Sequence, residues 1–586
     1  MKNTLSTIFL ALLACFSYAQ TTLIQNVAYV DVETGKLVPG ANLLIEGETI
    51  SQISRRKITP PQEAEVIDGT GKYLIPGLVD SHIHMFQSGG IYTRPDAMPL
   101  QDMRPYDEER AWVRAQASDF FKRYLTQGIT TVMDVGGPMT NFDIRDEFAD
   151  SIMAPTYFTT GPLISSYQPQ AFAIDDPPIE DIQSPEAARA LVRQQVPRNP
   201  DFIKIWYIVG RQRTAEDYLP VVEATIDEAN KNNIPVAVHA TGLAEAKLAV
   251  KAGAKFLVHS VSDTLDQEFI NLLVDNQVVL CPTLIVSSKY MISFGQVHDS
   301  ITANDYRWAN PFALGSHFDL AIAPNKELIK RYQDYTHQQL ESGAVSEEMA
   351  REARHLKRLV DAGVMIASGT DAGNIGTHHA SSYYEELATM QRAGMTLPQI
   401  LKASTLTPAY ILGQQDRWGS IAKGKQADLV MLEENPLENL EALQSIAWVM
   451  RKGHKMTPEG ILPDTPEMLA QRQLNAYNAG DIEAFLEPYA DSVKIFRIPA
   501  TEPYLVGKEA MRPGYASMFE RNPTLHCNLV NRMVVDDTVV DQEQITTAES
   551  DRVYNAIAIY RMANGKIVEV HFFNPKPYDP LPNPEK

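Results

Sequence analysis

From Thr22 to Ile67 the apolar positions come in short runs separated by turn residues: LIQNVAYV, the turn Glu33-Thr34-Gly35-Lys36, ANLLIEG and ETISQIS. This spacing predicts the strands of a small sheet. From Leu74 to about Ser404 short apolar runs alternate with amphipathic helical stretches, the pattern of βα units around a parallel sheet. The runs are 78–84, 130–134, 156–160, 202–206, 236–239, 256–259, 278–280 and 365–368. Helical stretches such as 215–230 and 347–362 lie between them, several closed by glycine, as at Gly128, Gly253 and Gly363. Eight units predict an α/β fold, a (β/α)8 TIM-type barrel over 72–405. Two insertions, 85–107 after the first strand and 287–343 after the seventh, fall on the barrel's catalytic face. The second is rich in aromatic residues (Tyr290, Phe294, Tyr306, Trp308, Phe312, Phe318), which suits a lid over a pocket or a subunit contact. β-type sequence returns at 418–453, so 20–71 and 406–458 are expected to form a composite β-sandwich domain. Beyond Pro463 and Pro466 the texture changes again. A helix over 468–490 and strands at 493–496, 528–535, 539–544, 556–561 and 567–573 predict a separate α+β domain over 464–580.

The 586 residues carry 52 Lys plus Arg against 73 Asp plus Glu, a net charge of −21. Such a surface repels phosphates, which argues against nucleic acid as a partner. Residues 1–19, with Lys2, an apolar run from Ile8 to Phe16 and small residues at Ser17 and Ala19, read as a signal peptide for a secreted or periplasmic protein. Leu12-Leu13-Ala14-Cys15 is also lipobox-like, so lipid attachment at Cys15 is a minor alternative. Past the signal only Cys281 and Cys527 are left, too few for a disulfide framework. No other apolar run approaches the ~20 residues that span a bilayer.

The candidate chemistry sits at strand ends. In Asp80-Ser-His82-Ile-His84 the period of two puts both imidazoles on one face. A lone His-x-His pair is weak evidence for a metal, but His239 and His259 each finish a later apolar run, and Met365-Ile-Ala-Ser-Gly-Thr-Asp371 brings a carboxylate to the same rim. His298, His317, His337 and His355 are read as core or surface residues. Lys204, in Asp201-Phe-Ile-Lys204-Ile-Trp, lies among apolar residues where an unpaired ammonium is costly. Either it is paired with a carboxylate such as Asp201 or Asp371, or its pKa is lowered and its amine can capture carbon dioxide.

LIPGLVDSHIHM, the two later strand-end histidines, SGTDAG and the return segment Gly419-Ser-Ile-Ala-Lys-Gly-Lys-Gln-Ala-Asp-Leu-Val with Asn435-Pro-Leu together resemble the amidohydrolase superfamily of metal-dependent hydrolases, over about Thr22 to Gly453. Within it the chain is most similar to the imidazolonepropionase-like and Xaa-Pro dipeptidase branches. The resemblance implies two divalent ions, Zn2+ first: His82, His84 and Asp371 on one, His239 and His259 on the other, with carboxylated Lys204 bridging. A hydroxide between the ions attacks a scissile amide, and Asp371 acts as general acid/base. Tyr207, His378 and His379 are the candidate contacts to a substrate carboxylate. The segment Gly161-Pro-Leu-Ile-Ser-Ser-Tyr lacks the His-containing turn that prolidase-like members use, which argues against Xaa-Pro preference.

The last domain resembles the SnoaL-like or NTF2-like cone, through Tyr477-Asn-Ala-Gly-Asp-Ile-Glu-Ala-Phe, Asp491-Ser-Val-Lys-Ile-Phe, Val506-Gly-Lys-Glu-Ala and Tyr560-Arg-Met-Ala-Asn-Gly-Lys-Ile-Val. That fold implies ligand binding or assembly into a homo-oligomer rather than one activity. The expectation is an exported binuclear zinc hydrolase of an amide, with a dipeptide as substrate. A cyclic amide, lactone or organophosphate on the same site, and a non-catalytic exported ligand-binding protein, are the alternatives.

Overall fold

The computed structural model describes residues 20–210, 213–547 and 550–578. The expected signal at 1–19, Cys15 included, lies outside them. Among the described residues no helix is long and apolar enough to cross a membrane.

All eight predicted barrel strands form. Leu78–Ile83, Ile129–Asp134 and Thr156–Thr159 make one parallel set. Ile203–Trp206, Val236–His239, Phe256–Val258, Val279–Cys281 and Met365–Ile366 pair in that order in another. Two seams join the sets. At one, Ser81 N donates to Ser368 O (3.0 Å), Asp371 N to His82 O (2.7 Å) and His84 N to Ala372 O (2.7 Å). At the other, Asp201 N donates to Thr159 O (3.0 Å).

The third strand is broken. After Thr159 the chain bends through Thr160-Gly161-Pro162, and its continuation Leu163–Ser165 pairs with Ile203–Trp206 on one side and Ile179–Asp181 on the other. The periodicity does not predict these two strands. Three residues are too few to show alternation, and Pro162 has no N–H to carry a ladder across the bend.

The segments flanking the barrel meet in an eight-stranded sheet in which Tyr73–Pro76 pairs antiparallel with Leu429–Leu432. Both segments contribute to its apolar cluster, Ile24, Leu43 and Ile50 packing with Leu429, Met431 and Trp448. Its strand Thr21–Asp31 is long enough to pair with Glu65–Asp68 along its first part and with Tyr73–Pro76 further on.

The C-terminal domain is an α+β cone. Six strands are ordered Leu505–Val506, Tyr489–Ile498, Lys566–Tyr578, Ser550–Ala563, Thr538–Thr547, His526–Val535. The single helix expected over 468–490 is two, Pro466–Ala479 and Ile482–Leu486. Gly480 ends the first at φ +72, a left-handed conformation that a side chain would strain.

The second insertion proves to be a seat for this cone within the same chain. Tyr306, Ala309 and Leu314 share one apolar cluster with Leu469, Ala470 and Phe485. Asn475 Nδ2 donates to Pro311 O (2.7 Å), and Arg123 donates to the carbonyls of Trp308 (3.0 Å) and Ala309 (2.8 Å). The insertion's first helix, Val286–Gly295, reaches the barrel mouth instead.

Candidate active site

His82, His84, Lys204, His239, His259 and Asp371 all line one pocket of about 250 Å³ at the C-terminal mouth of the barrel. The rings of His82 and His259 lie 4.8 Å apart, those of His239 and His259 4.1 Å, and those of His82 and His84 5.2 Å. His84 Nδ1 donates to the Gly136 carbonyl (2.7 Å), so in the neutral ring its Nε2 carries a lone pair. That nitrogen is 3.1 Å from Asp371 Oδ1, and His82 Nε2 is 3.2 Å from the same oxygen. Yet neither His82 nitrogen nor Asp371 Oδ1 makes a hydrogen bond. His82, His259 and Asp371 each place a ligand atom within 4.8 Å of the others.

Burial lowers the imidazolium pKa of His259 to about 4 and holds His82 and His239 well below the usual range, so these rings are neutral at pH 7. Burial alone would raise the Asp371 carboxyl, but His84, His259 and Lys204 hold it below the usual range and it is ionised. Buried neutral imidazoles and a carboxylate, with lone pairs that find no proton, fit a divalent ion of the zinc type.

Backbone strain aims two of these groups. His259 stands at φ +75 and Asp371 at φ +61, left-handed positions that cost a residue with a side chain about 1–3 kcal/mol. Each turns the chain sharply just past its strand. Hydrogen bonds hold the turns: His259 N to Cys281 O (2.8 Å), Asp371 N to His82 O (2.7 Å), and a 2.7 Å bond between His259 Nδ1 and Thr283 Oγ1. Asp80 ties the first strand to the last, accepting from Thr370 N (3.0 Å), Thr370 Oγ1 (2.7 Å) and His82 N (3.3 Å).

Lys204 is buried, and no carboxylate among the described residues lies within ion-pair reach of it. Asp201, one of its two expected partners, accepts from Thr159 N (2.9 Å) and sits 3.6 Å from Arg145. Burial drops the Lys204 ammonium to about 7, which leaves a large neutral fraction at physiological pH.

The three expected carboxylate contacts are not in the pocket. Tyr207 points into the layer between barrel and helices, packs on Tyr218 and donates its hydroxyl to Ala215 O. The pleat decides this, because Lys204 faces inward and Tyr207, an odd number of residues on, faces outward. His378 is buried against His317 (ring centroids 5.2 Å). His379 packs at a tilt against Phe120 and bonds Tyr124 OH (2.9 Å) and Gln87 O (2.8 Å), bracing the loop after the first strand from behind.

Their place is taken by Arg94, in the first insertion. Its Nε and Nη2 donate to Asp96, and its Nη1 donates to Asn374 Oδ1 (2.7 Å) and Tyr290 OH (3.1 Å). Arg94, Tyr290 and Asn374 all line the pocket, with Phe86, Trp206 and Val286 as apolar wall. The only available signal for Arg94 was a cation in an insertion expected on the catalytic face. Asp134 was missed too. It accepts from Met85 N (2.8 Å), Asn141 Nδ2 (2.9 Å) and Tyr157 OH (2.6 Å), fixing the turn that receives His84.

A barrel whose strand ends converge five metal-ligand side chains and a buried lysine defines a metal-dependent hydrolase architecture. The amidohydrolase family model matches residues 73–456, and a SnoaL-like domain model matches 470–570. The chain belongs to the amidohydrolase family and is a hydrolase of carbon–nitrogen bonds with a SnoaL-like domain at its C-terminal side. It is similar to the ochratoxinase of Aspergillus niger, 24% identical over 484 residues, 74% of this chain and 87% of that one. A dihydroorotase of Bacillus thuringiensis is 30% identical over 148 residues, 21% of this chain and 32% of that enzyme. Among solved structures, a Xaa-Pro dipeptidase with methionine bound in its active site superimposes with a TM-score of 0.57 at 22% identity, covering 75% of this chain and all of that one (100%). The A. niger ochratoxinase gives 0.55 at 20% identity, over 75% and 98%. These structures share the fold.

Proposed function

We propose that this amidohydrolase is an exported enzyme that uses two divalent ions, Zn2+ first, to hydrolyse the amide bond of a dipeptide. The observation that carries the reading is the convergence of six side chains, four of them buried and His239 and His259 half-buried, on one pocket whose wall also presents Arg94. His82, His84 and Asp371 would hold one ion, His239 and His259 the other, with Lys204 as a carbamate between them. When bound, such ions acidify water and polarise a carbonyl. Asp371, ionised and buried, takes a proton from the attacking water and returns it to the leaving nitrogen. Arg94 spends four of its five N–H groups on Asp96, Tyr290 and Asn374, so its guanidinium is fixed in place, and one Nη2 hydrogen is left for a substrate carboxylate. The methionine held by the dipeptidase relative supports an amino acid as product. The apolar wall of Phe86, Trp206 and Val286 suits an apolar residue on the other side of the bond. The signal-like pattern of residues 1–19 supports export.

The test joins metal analysis to a substrate comparison. The purified protein is expected to hold two divalent ions per chain and to cleave dipeptides at least ~10-fold faster than their C-terminal amides, the worth of one charge-assisted contact. Arg94→Gln should erase that preference. One ion per chain would remove the bridging role of Lys204. Equal rates on acids and amides would favour a cyclic amide instead.

A further inference from the structure

The cone encloses a cavity of about 610 Å³, more than twice the volume of the barrel pocket and lined by none of the same residues. Its size is that of a small-molecule site. Strand Thr538–Thr547 turns two acidic side chains, Asp541 and Glu543, to its buried face. Asp541 is neutralised by a two-pronged contact with Arg532 (2.7 and 2.6 Å). Among the described residues no cation lies within ion-pair distance of Glu543. Its one side-chain hydrogen bond among the described residues comes from Tyr560 OH (3.1 Å). Tyr560 in turn accepts from Gln473 Nε2 (3.0 Å), and Gln473 Oε1 accepts from Tyr489 OH (3.3 Å). This chain of bonds fixes the carboxyl at the cavity wall, and among the described residues its other oxygen receives no hydrogen bond.

At the rim the charge is reversed. Arg497 is exposed, lies over the Tyr504 ring at 4.5 Å and pairs with no carboxylate among the described residues. In a chain with a net charge of −21, a cation left free beside a cavity is a specific attraction for an anion. Between rim and carboxyl the wall is aromatic, with Tyr477, Phe485, Tyr515 and Phe572. Burial, with Asp541 nearby, raises the Glu543 carboxyl to about 7, so near neutral pH it can both donate and accept a hydrogen bond. A hydroxyl is the group that answers both states.

We propose that the cone is a second ligand site, separate from the barrel's, for an aromatic acid bearing a hydroxyl at the end opposite its carboxylate: the carboxylate on Arg497, the ring among the tyrosines and the hydroxyl on Glu543. Nothing in this rests on the reaction assigned to the barrel.

Calorimetry on the full-length protein with 4-hydroxycinnamate, cinnamate and 4-hydroxycinnamamide tests it. One equivalent of 4-hydroxycinnamate is expected to bind, with the amide at least ~10-fold weaker and cinnamate ~3-fold or more weaker. Arg497→Gln, at an exposed position, should remove the preference for acid over amide. Glu543→Gln should reduce the advantage of the hydroxyl. A β-carbon at Gly514, a cavity-lining helical position, meets nothing within 4 Å, so Gly514→Leu can narrow the mouth without backbone strain and should weaken binding of all three. Absence of binding by all three probes, or binding that is unchanged in both Arg497→Gln and Gly514→Leu, would overturn the proposal.

Discussion

Lys204 shows how burial changes the charge of an ordinary side chain. Its ammonium titrates near 10.5 in an unfolded chain and near 7 in the folded one. Between those values the unfolded chain binds a proton that the folded chain does not, so the stability of the metal-free protein rises with pH across that window. Below about pH 7 the whole cost of the buried charge is present. Lys204→Met is therefore expected to stabilise the metal-free, carbon-dioxide-free protein by about 4 to 5 kcal/mol at pH 7, while abolishing turnover. The gain should shrink towards zero by pH 10.5, and denaturant titrations at several pH values read it directly. A gain that does not change with pH would show that Lys204 is charged in the fold. The candidate ligands were legible in the sequence because each stands at the end of an apolar run, where strand geometry leaves little choice of direction. Arg94 was not, because an insertion has no period from which to read where a side chain points.

The loop after the seventh strand depends on one buried carboxylate. Glu386, from helix Tyr383–Arg392, accepts from Leu284 N (3.0 Å) and Ile285 N (3.1 Å) just ahead of helix Val286–Gly295. Burial pushes its carboxyl up to about 8 and the two amide donors pull it down. That helix carries Val286 and Tyr290 into the pocket. Above about pH 8, where the carboxyl is ionised, Glu386→Gln turns one acceptor into an NH2 group facing an N–H. The expected cost is about 1–3 kcal/mol of stability, with KM rising more than kcat falls, because Tyr290 positions Arg94. Urea denaturation and steady-state kinetics check the two parts, and unchanged values for both would mean the loop is held by other contacts. The eight strand positions were legible at this scale. The break at Gly161-Pro162 was hidden, because nothing in an apolar run shows which neighbour each half will pair with.

At the scale of the whole molecule, the cone shares one apolar cluster with the barrel's second insertion. Removing everything after residue 463 would expose Tyr306, Ala309 and Leu314, which pack with Leu469, Ala470 and Phe485. It would also remove Asp464, which pairs with both Arg307 and Arg472, and leave Arg307 without that partner. Such a truncation is expected to melt at least ~5 °C lower and to lose most activity, since the destabilised insertion also reaches the active site through Tyr290. Scanning calorimetry and turnover of the truncated chain decide it. Full activity and an unchanged melting temperature, with a fall in solution mass to that of a monomer, would instead make the cone an assembly module.

The run-by-run alternation of apolar and polar positions by itself determined the barrel, the return to a small sheet and a separate α+β domain after it, because period and length follow from backbone geometry. It also determined that histidines, a lysine and an aspartate stand at strand ends. Only the tertiary structure decided that Asp371 and His259 turn inward through left-handed backbone, that no carboxylate among the described residues lies within ion-pair reach of Lys204, and that Arg94 rather than Tyr207, His378 or His379 faces the pocket. It alone showed that the second insertion seats the cone. These outcomes depend on contacts between residues far apart in the chain, such as Arg94 with Asn374 and Tyr306 with Leu469. No local pattern of hydrophobicity carries that information.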